Sequence, residues 1–196
     1  MKQRCGYVAI VGRPNVGKST LLNNILGMKL SITSRKPQTT RHQILGMKTV
    51  DDTQVIYVDT PGIHQRRGTA INKYMNRAAT SVLNDVDIII FVVQVKKWTE
   101  EDQAIIEKLS SVSCPVVLAV NKVDKLASKE ELLPLIGDLA SHYDFAEIIP
   151  VSAMNGMNVD LLEQKISTLL PENAHFYPDD QVTDRSMRFL ASEIIR

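Results

Sequence analysis

Residues 12–19 read GRPNVGKS, a G-x-x-x-x-G-K-[ST] spacing. Glycines at both ends of such a loop let backbone N–H groups turn inward around a chain of phosphates. Lys18 reaches the outer phosphates of that chain, and Ser19 offers a hydroxyl to Mg2+. A helix that begins after Gly17 aims the positive end of its dipole at the same anion. Gly12, Arg13, Pro14, Asn15, Val16, Gly17, Lys18, Ser19 and Thr20 are therefore the candidate cradle for a nucleoside triphosphate. The loop alone does not choose the base.

Two further stretches supply the metal acid and the base reader. VIYVDTPG (55–62) ends an oily run in Asp59, placed to hold Mg2+ directly or through water. Gly62 then offers an unshielded N–H to a γ-phosphate, a hydrogen bond that breaks when that phosphate leaves. NKVD (121–124) ends another oily run. Asp124 can accept from the N1–H and the 2-amino group of guanine. Adenine has neither donor and would leave the carboxylate desolvated and unpaired, a discrimination of ~10⁴ or more. Asn121 can bridge to the cradle or to the base edge, and the stem of Lys122 can cover the base face. Ser152 and Ala153 in VSAMNG (151–156) close the pocket, with the Ala153 N–H available to guanine O6. NKVD is a weak match by itself; its order after GKS and DTPG gives it specificity. The expected ligands are GTP or GDP with Mg2+.

The elements that must position these residues are legible as alternating patterns. Oily runs at 7–11, 54–59, 86–95, 115–121 and 147–153 do not alternate in polarity, as in strands buried on both faces. Helical patterns lie between them. Lys18–Leu26 stops at Gly27, and 70–84 carries an apolar stripe. Thr99–Leu109 and Ser128–His142 each open with a hydroxyl residue and an acid three positions on, and Asn158–Leu170 ends at Pro171. Strand followed by helix, repeated, predicts an α/β sheet with helices on both faces and ligands at the carboxyl ends of its strands. Residues 28–53 do not fit the alternation: SITSRKPQTTRHQ (31–43) reads as a polar, basic, proline-broken loop, and 46–50 as a strand after it.

Composition excludes other classes. The chain has 196 residues, enough for one domain and a fragment, and a net charge of +1, so any basic footprint for nucleic acid must be local. Cys5 and Cys114 lie far apart without metal-type spacing, and His42, His64, His142 and His175 form no zinc pattern. The expectation is a reduced cytoplasmic protein. The N-terminus does not read as a signal peptide, and no run reaches the ~18 apolar residues of a membrane helix.

GRPNVGKS, DTPG, NKVD and SA, in this order, resemble the Ras-like GTPases, and RKPQTTRHQILG (35–46) resembles the Era subgroup. The resemblance covers nearly all of residues 5–170. It implies a P-loop NTPase of three layers, α/β/α, with a six-stranded, mostly parallel sheet. It implies that Thr40, rather than Thr39, closes on Mg2+ beside Ser19 and Asp59, and that Lys18, Thr40 and Gly62 act on the γ-phosphate. It also implies a switch in 16S rRNA processing and assembly of the small (30S) ribosomal subunit, as a monomer with peripheral contact at the inner membrane. The alternative within the superfamily is a tRNA-modification GTPase or another ribosome-associated one. On this reading residues 1–170 are the GTP-binding domain and 171–183 a linker. Residues 184–196, striped at Met187, Leu190, Ala191, Ile194 and Ile195, are then the first helix of a KH-type RNA-binding domain cut short. A C-terminal helix folding back on the sheet fits the same stripe.

Where Ras-type enzymes carry a water-orienting glutamine, this chain has Ile63. An alkyl group orients no nucleophile, so hydrolysis is expected near ~10⁻³ s⁻¹ or below. His64 reads as an exposed loop residue before it reads as a substitute base. Asn15 is a candidate ligand for K+ at the β–γ bridge, with a turn-forming role as the plain alternative. Arg35, Lys36, Arg41, Arg66 and Arg67 offer a local basic face to ribosomal RNA, or to solvent. A metabolic kinase on the same scaffold lacks an acceptor site, and an RNA-binding module with a structural nucleotide would hold GTP without turning it over.

Overall fold

A computed structural model describes residues 2–30, 44–59, 83, 85–95 and 98–184. The expected helix over 70–84 lies almost wholly outside them, as does the loop 31–43.

The described elements are β1 (Arg4–Val11), α1 (Lys18–Leu26), β2 (Ile44–Val50), β3 (Thr53–Asp59) and β4 (Ile88–Gln94), then α2 (Glu100–Leu109), β5 (Val116–Asn121), α3 (Leu132–Ala140), β6 (Glu147–Val151) and α4 (Val159–Leu169). They form a six-stranded sheet in the order β2-β3-β1-β4-β5-β6. Among these strands only the β2–β3 pair is antiparallel; every other pairing is parallel. The expected architecture is met.

The strands are oily throughout because each feeds two cores. On one face Val8, Ile10, Tyr57, Ile90, Val117 and Ile149 pack with Leu21, Leu22 and Ile25 of α1 and Leu162 and Ile166 of α4. On the other, Ala9, Val58, Phe91, Leu118 and Val120 pack with Ile105, Ile106 and Leu109 of α2 and Leu139 of α3. Adjacent residues of one strand thus enter opposite cores, as a period of two requires.

The α2 start is as expected: Thr99 and Asp102 form a reciprocal capping box. The α3 start differs. A 3-10 turn over Lys129–Glu131 precedes the helix, whose first residue is Leu132 and whose N-cap is Glu131, not Ser128. Pro134 explains the delay. Its ring would clash with the carbonyl of Glu130 in a continuous α-helix, so the ladder starts beyond that point.

Residues 171–183, read as a linker, lie against the sheet. Cys5 N–H donates to Pro171 O at 3.3 Å, and Met47 N–H donates to Val182 O at 2.7 Å. Fully buried Gln54 is the main fastener. Its Oε1 accepts from Phe176 N–H and Tyr177 N–H at 2.9 and 3.0 Å, and its Nε2 donates to Tyr177 O at 2.8 Å. Tyr7 and Phe176 stack beside it, centroids 5.7 Å apart.

Candidate functional site

Register brings the strand tips level. Ile10 of β1 lies beside Asp59 of β3, Gln94 of β4 beside Asn121, and Asn121 beside Val151 of β6. The cradle, Asp59, NKVD and Ser152–Ala153 all lie at these tips, at the carboxyl ends of the strands.

The cradle connects β1 to α1. Gly12 has φ 151°, and a Cβ there would stand 2.5 Å from Val92 O. Gly17 has φ 108°, and its Cβ would stand 2.3 Å from Asn121 Nδ2. Both positions demand glycine for conformation and for room. Asn15 adopts the left-handed region, φ 63°. Its carbonyl is held from two sides, accepting from Gln94 Nε2 at 2.9 Å and Lys122 Nζ at 2.8 Å, while its side chain is exposed. Val16 is fully buried and anchors the loop in the core, and Thr20 is half-buried on α1.

Lys18 is folded back into the loop, 7% exposed, donating to Gly12 O at 3.0 Å and Arg13 O at 3.1 Å. Burial draws its pKa down to about 8; Asp59 opposes this and Arg13 adds to it. Ser19 Oγ donates to Asp59 Oδ2 at 3.0 Å, and Asp59 is wholly buried at the end of β3. This hydroxyl–carboxylate pair is a hard-oxygen set suited to Mg2+. No cluster of three or more His, Cys, Asp or Glu occurs among the described residues. The pair therefore fits an ion that phosphate and water complete, rather than one caged by protein.

The base-reading loops are tied to the cradle through Asn121, 2% exposed. Its Nδ2 donates to Val16 O at 2.8 Å, and its Oδ1 accepts from Lys122 N–H at 2.7 Å and Ala153 N–H at 2.9 Å. Asn121 thus bridges to the cradle, and it engages the Ala153 N–H that the sequence assigns to guanine O6. Lys122 is left-handed, φ 68°. Burial lowers its pKa, with Lys125 and Arg13 adding to the effect and Asp124 opposing it. Asp124 is exposed and oriented: fully buried Ser152 donates to its Oδ1 at 2.6 Å. Thr40, Gly62, Ile63, His64 and the basic residues at 35, 36, 41, 66 and 67 lie outside the described residues.

Sequence reasoning missed three interactions. Gln94 supports the Asn15 carbonyl. Trp98 stacks on His142 at 4.2 Å and meets Phe91 edge-on at 6.0 Å. Arg13 leaves the cradle to bond Asp102 of α2. Only the acid three residues after Thr99 was visible beforehand, and it was read as a cap alone.

A family model described as 50S ribosome-binding GTPase matches residues 7–122. The chain is 61% identical over 193 residues to the GTPase Era of Ectopseudomonas mendocina, an alignment that spans 98% of this chain and 64% of the relative. It is 62% identical over 195 residues to that of Marinobacter nauticus, spanning 100% and 64%. The chain therefore spans less than two thirds of the length of these relatives. Among solved structures, an Aquifex aeolicus Era variant bound to GDP and AlF4− superposes with TM-score 0.94 at 39% identity, covering 98% of this chain and 66% of that one. Era in complex with MgGDPNP and nucleotides 1506–1542 of 16S ribosomal RNA gives 0.94 at 40%, with the same coverage. Motifs, sheet order and matched span agree: the chain belongs to the 50S ribosome-binding GTPase family, and its likeness within that family is to the Era GTPases.

Proposed function

We propose that this chain binds GTP with Mg2+ and hydrolyses it slowly, as a switch that serves 16S rRNA processing and small-subunit (30S) assembly. One observation carries the reading. Asn121 joins Val16 of the phosphate cradle to Ala153 of the base pocket, so both ends of a nucleotide are met by one hydrogen-bonded unit. The Asp124 carboxylate, aimed by Ser152, selects guanine. Lys18 would neutralise phosphate charge, and Ser19 with Asp59 would hold Mg2+, which would supply further charge neutralisation to the phosphates when bound. Thr40 and Gly62 complete the γ-phosphate contacts in this proposal, and Ile63 keeps turnover slow. Asn15 remains the proposed K+ ligand.

We assign residues 1–170 to the GTP-binding domain, 171–183 to the connection and 184–196 to the start of a KH-type RNA-binding domain. RNA affinity would then reside mainly beyond this chain. The Era structure in complex with nucleotides 1506–1542 of 16S ribosomal RNA supports a ribosomal RNA partner by likeness. Among the described residues no helix is long and apolar enough to cross a membrane. Cytoplasmic location, peripheral inner-membrane contact and a monomeric state rest on the family likeness.

The test is nucleotide preference. The chain should favour GTP over ATP by ~10⁴, and Asp124→Asn should shift preference to xanthosine triphosphate, whose 2-oxo group accepts where guanine donates. Equal affinity for GTP and ATP would remove the reading.

A further inference from the structure

We propose that Asp102 is a positioning residue for phosphate binding, acting through Arg13. The proposal rests on the nucleotide reading above. Arg13 is the second residue of the cradle, and its side chain turns away from the loop. Its Nε donates to both carboxylate oxygens of Asp102, at 3.2 and 3.1 Å. Asp102 belongs to α2, which contributes no residue to the nucleotide motifs.

The carboxylate is fixed from its own side. Asp102 Oδ2 accepts from Thr99 N–H at 3.1 Å and from Thr99 Oγ1 at 2.7 Å, while Thr99 Oγ1 accepts from Asp102 N–H at 3.3 Å. Asp102 is 0% exposed. Capping alone does not call for this, because an acid at the third helical position caps equally well from the surface. Burying a carboxylate is costly unless it is paired, and a cradle arginine is the partner here.

The backbone of Arg13 faces the other way. Its carbonyl, beside that of Gly12, accepts from Lys18 Nζ. A single residue thus runs from a rigid helix start to the ammonium that meets phosphate. With the guanidinium held, the two carbonyls keep the place from which Lys18 is presented. With it released, Lys18 loses that fixed seat, and the cradle must be ordered at the expense of binding energy.

The experiment measures Mg·GTP dissociation constants for the wild-type chain and for Arg13→Gln, Asp102→Asn, the double variant and Arg13→Lys. Emission of Trp98, the chain's single tryptophan, one residue before Thr99, is read in the same titration. Each of the two single variants should weaken binding about tenfold, the cost of one charge-assisted hydrogen bond, and the double should be no weaker than the worse single. Arg13→Lys should recover part of the loss. Singles within about twofold of wild type, or losses that multiply in the double, would overturn the proposal. A purely structural role would lower the thermal midpoint without this pattern in affinity. If Asp102→Asn fails to fold, Arg13→Gln against Arg13→Lys decides, equal affinities counting against us. Failure of the wild type to bind Mg·GTP would instead sink the nucleotide reading itself.

Discussion

Raising the pH should loosen the grip on GTP while leaving the fold firmer. Burial, the first cause, brings Lys18 from its ordinary 10.5 down to about 8, against the pull of Asp59 and with the help of Arg13. A bound triphosphate places negative charge beside the ammonium and restores the proton, so binding takes up a proton wherever the free lysine has lost one. With a free value near 8, the charged fraction falls about fourfold between about pH 7 and pH 8.5, and the affinity for Mg·GTP should fall with it. Stability runs the other way. The folded value lies below the unfolded one, so between about 8 and 10.5 the unfolded chain binds more protons and stability rises with pH. The whole difference, 10.5 − 8, is worth about 3 kcal/mol across that window. The assay is displacement of a fluorescent GTP analogue at several pH values, kept below the range in which guanine itself loses a proton, with urea unfolding alongside. Lys18→Arg stays charged throughout and should flatten the pH dependence of affinity. A flat wild-type profile, or an equal slope in Lys18→Arg, would refute the argument.

Three other perturbations follow from the same geometry. Gly17→Ala forces a Cβ to within 2.3 Å of Asn121 Nδ2 at φ 108°; it should cost at least ~2 kcal/mol and abolish detectable nucleotide binding, checked by calorimetry and thermal melting. Gln54→Leu strips the partners from Phe176 N–H, Tyr177 N–H and Tyr177 O; amide exchange at 176 and 177 should accelerate by an order of magnitude or more, whereas unchanged protection would show that other contacts hold the segment. Tyr57 buries its hydroxyl without a hydrogen-bond partner among the described residues, and burial raises its pKa well above 10.0. Tyr57→Phe should therefore leave stability unchanged or raise it by about 1 kcal/mol in urea unfolding, and a loss of that size would reveal a hidden partner.

What was legible in the sequence was whatever repeats or is chemically obligatory. The β1, β3, β4 and β5 runs declared themselves because both faces of each are buried, which removes polar alternation. The cradle was legible because Gly12 and Gly17 have no substitute at their φ values. Ser152 was placed in the pocket, but its use as the orienter of Asp124 depends on β6 lying beside β5, which no local pattern encodes. Arg13 and Asp102, and Gln54 with Tyr177, are joined across 89 and 123 positions, and nothing in either partner's neighbourhood names the other. The α3 start was misplaced because Ser128 and Glu131 fit a cap pattern while Pro134, further along, ruled out the geometry that pattern needs.

The segment 171–183 has a consequence for solubility. Strand β2 is a margin of the sheet, and an open margin offers its N–H and C=O groups to any passing extended chain. Here Met47 N–H is taken by Val182 O, and Leu45 O by the Thr183 hydroxyl. The chain therefore screens its own margin against strand addition by a second copy. Polypeptide cut back to residue 170 would keep the nucleotide motifs and lose that screen, and it would be the more aggregation-prone molecule.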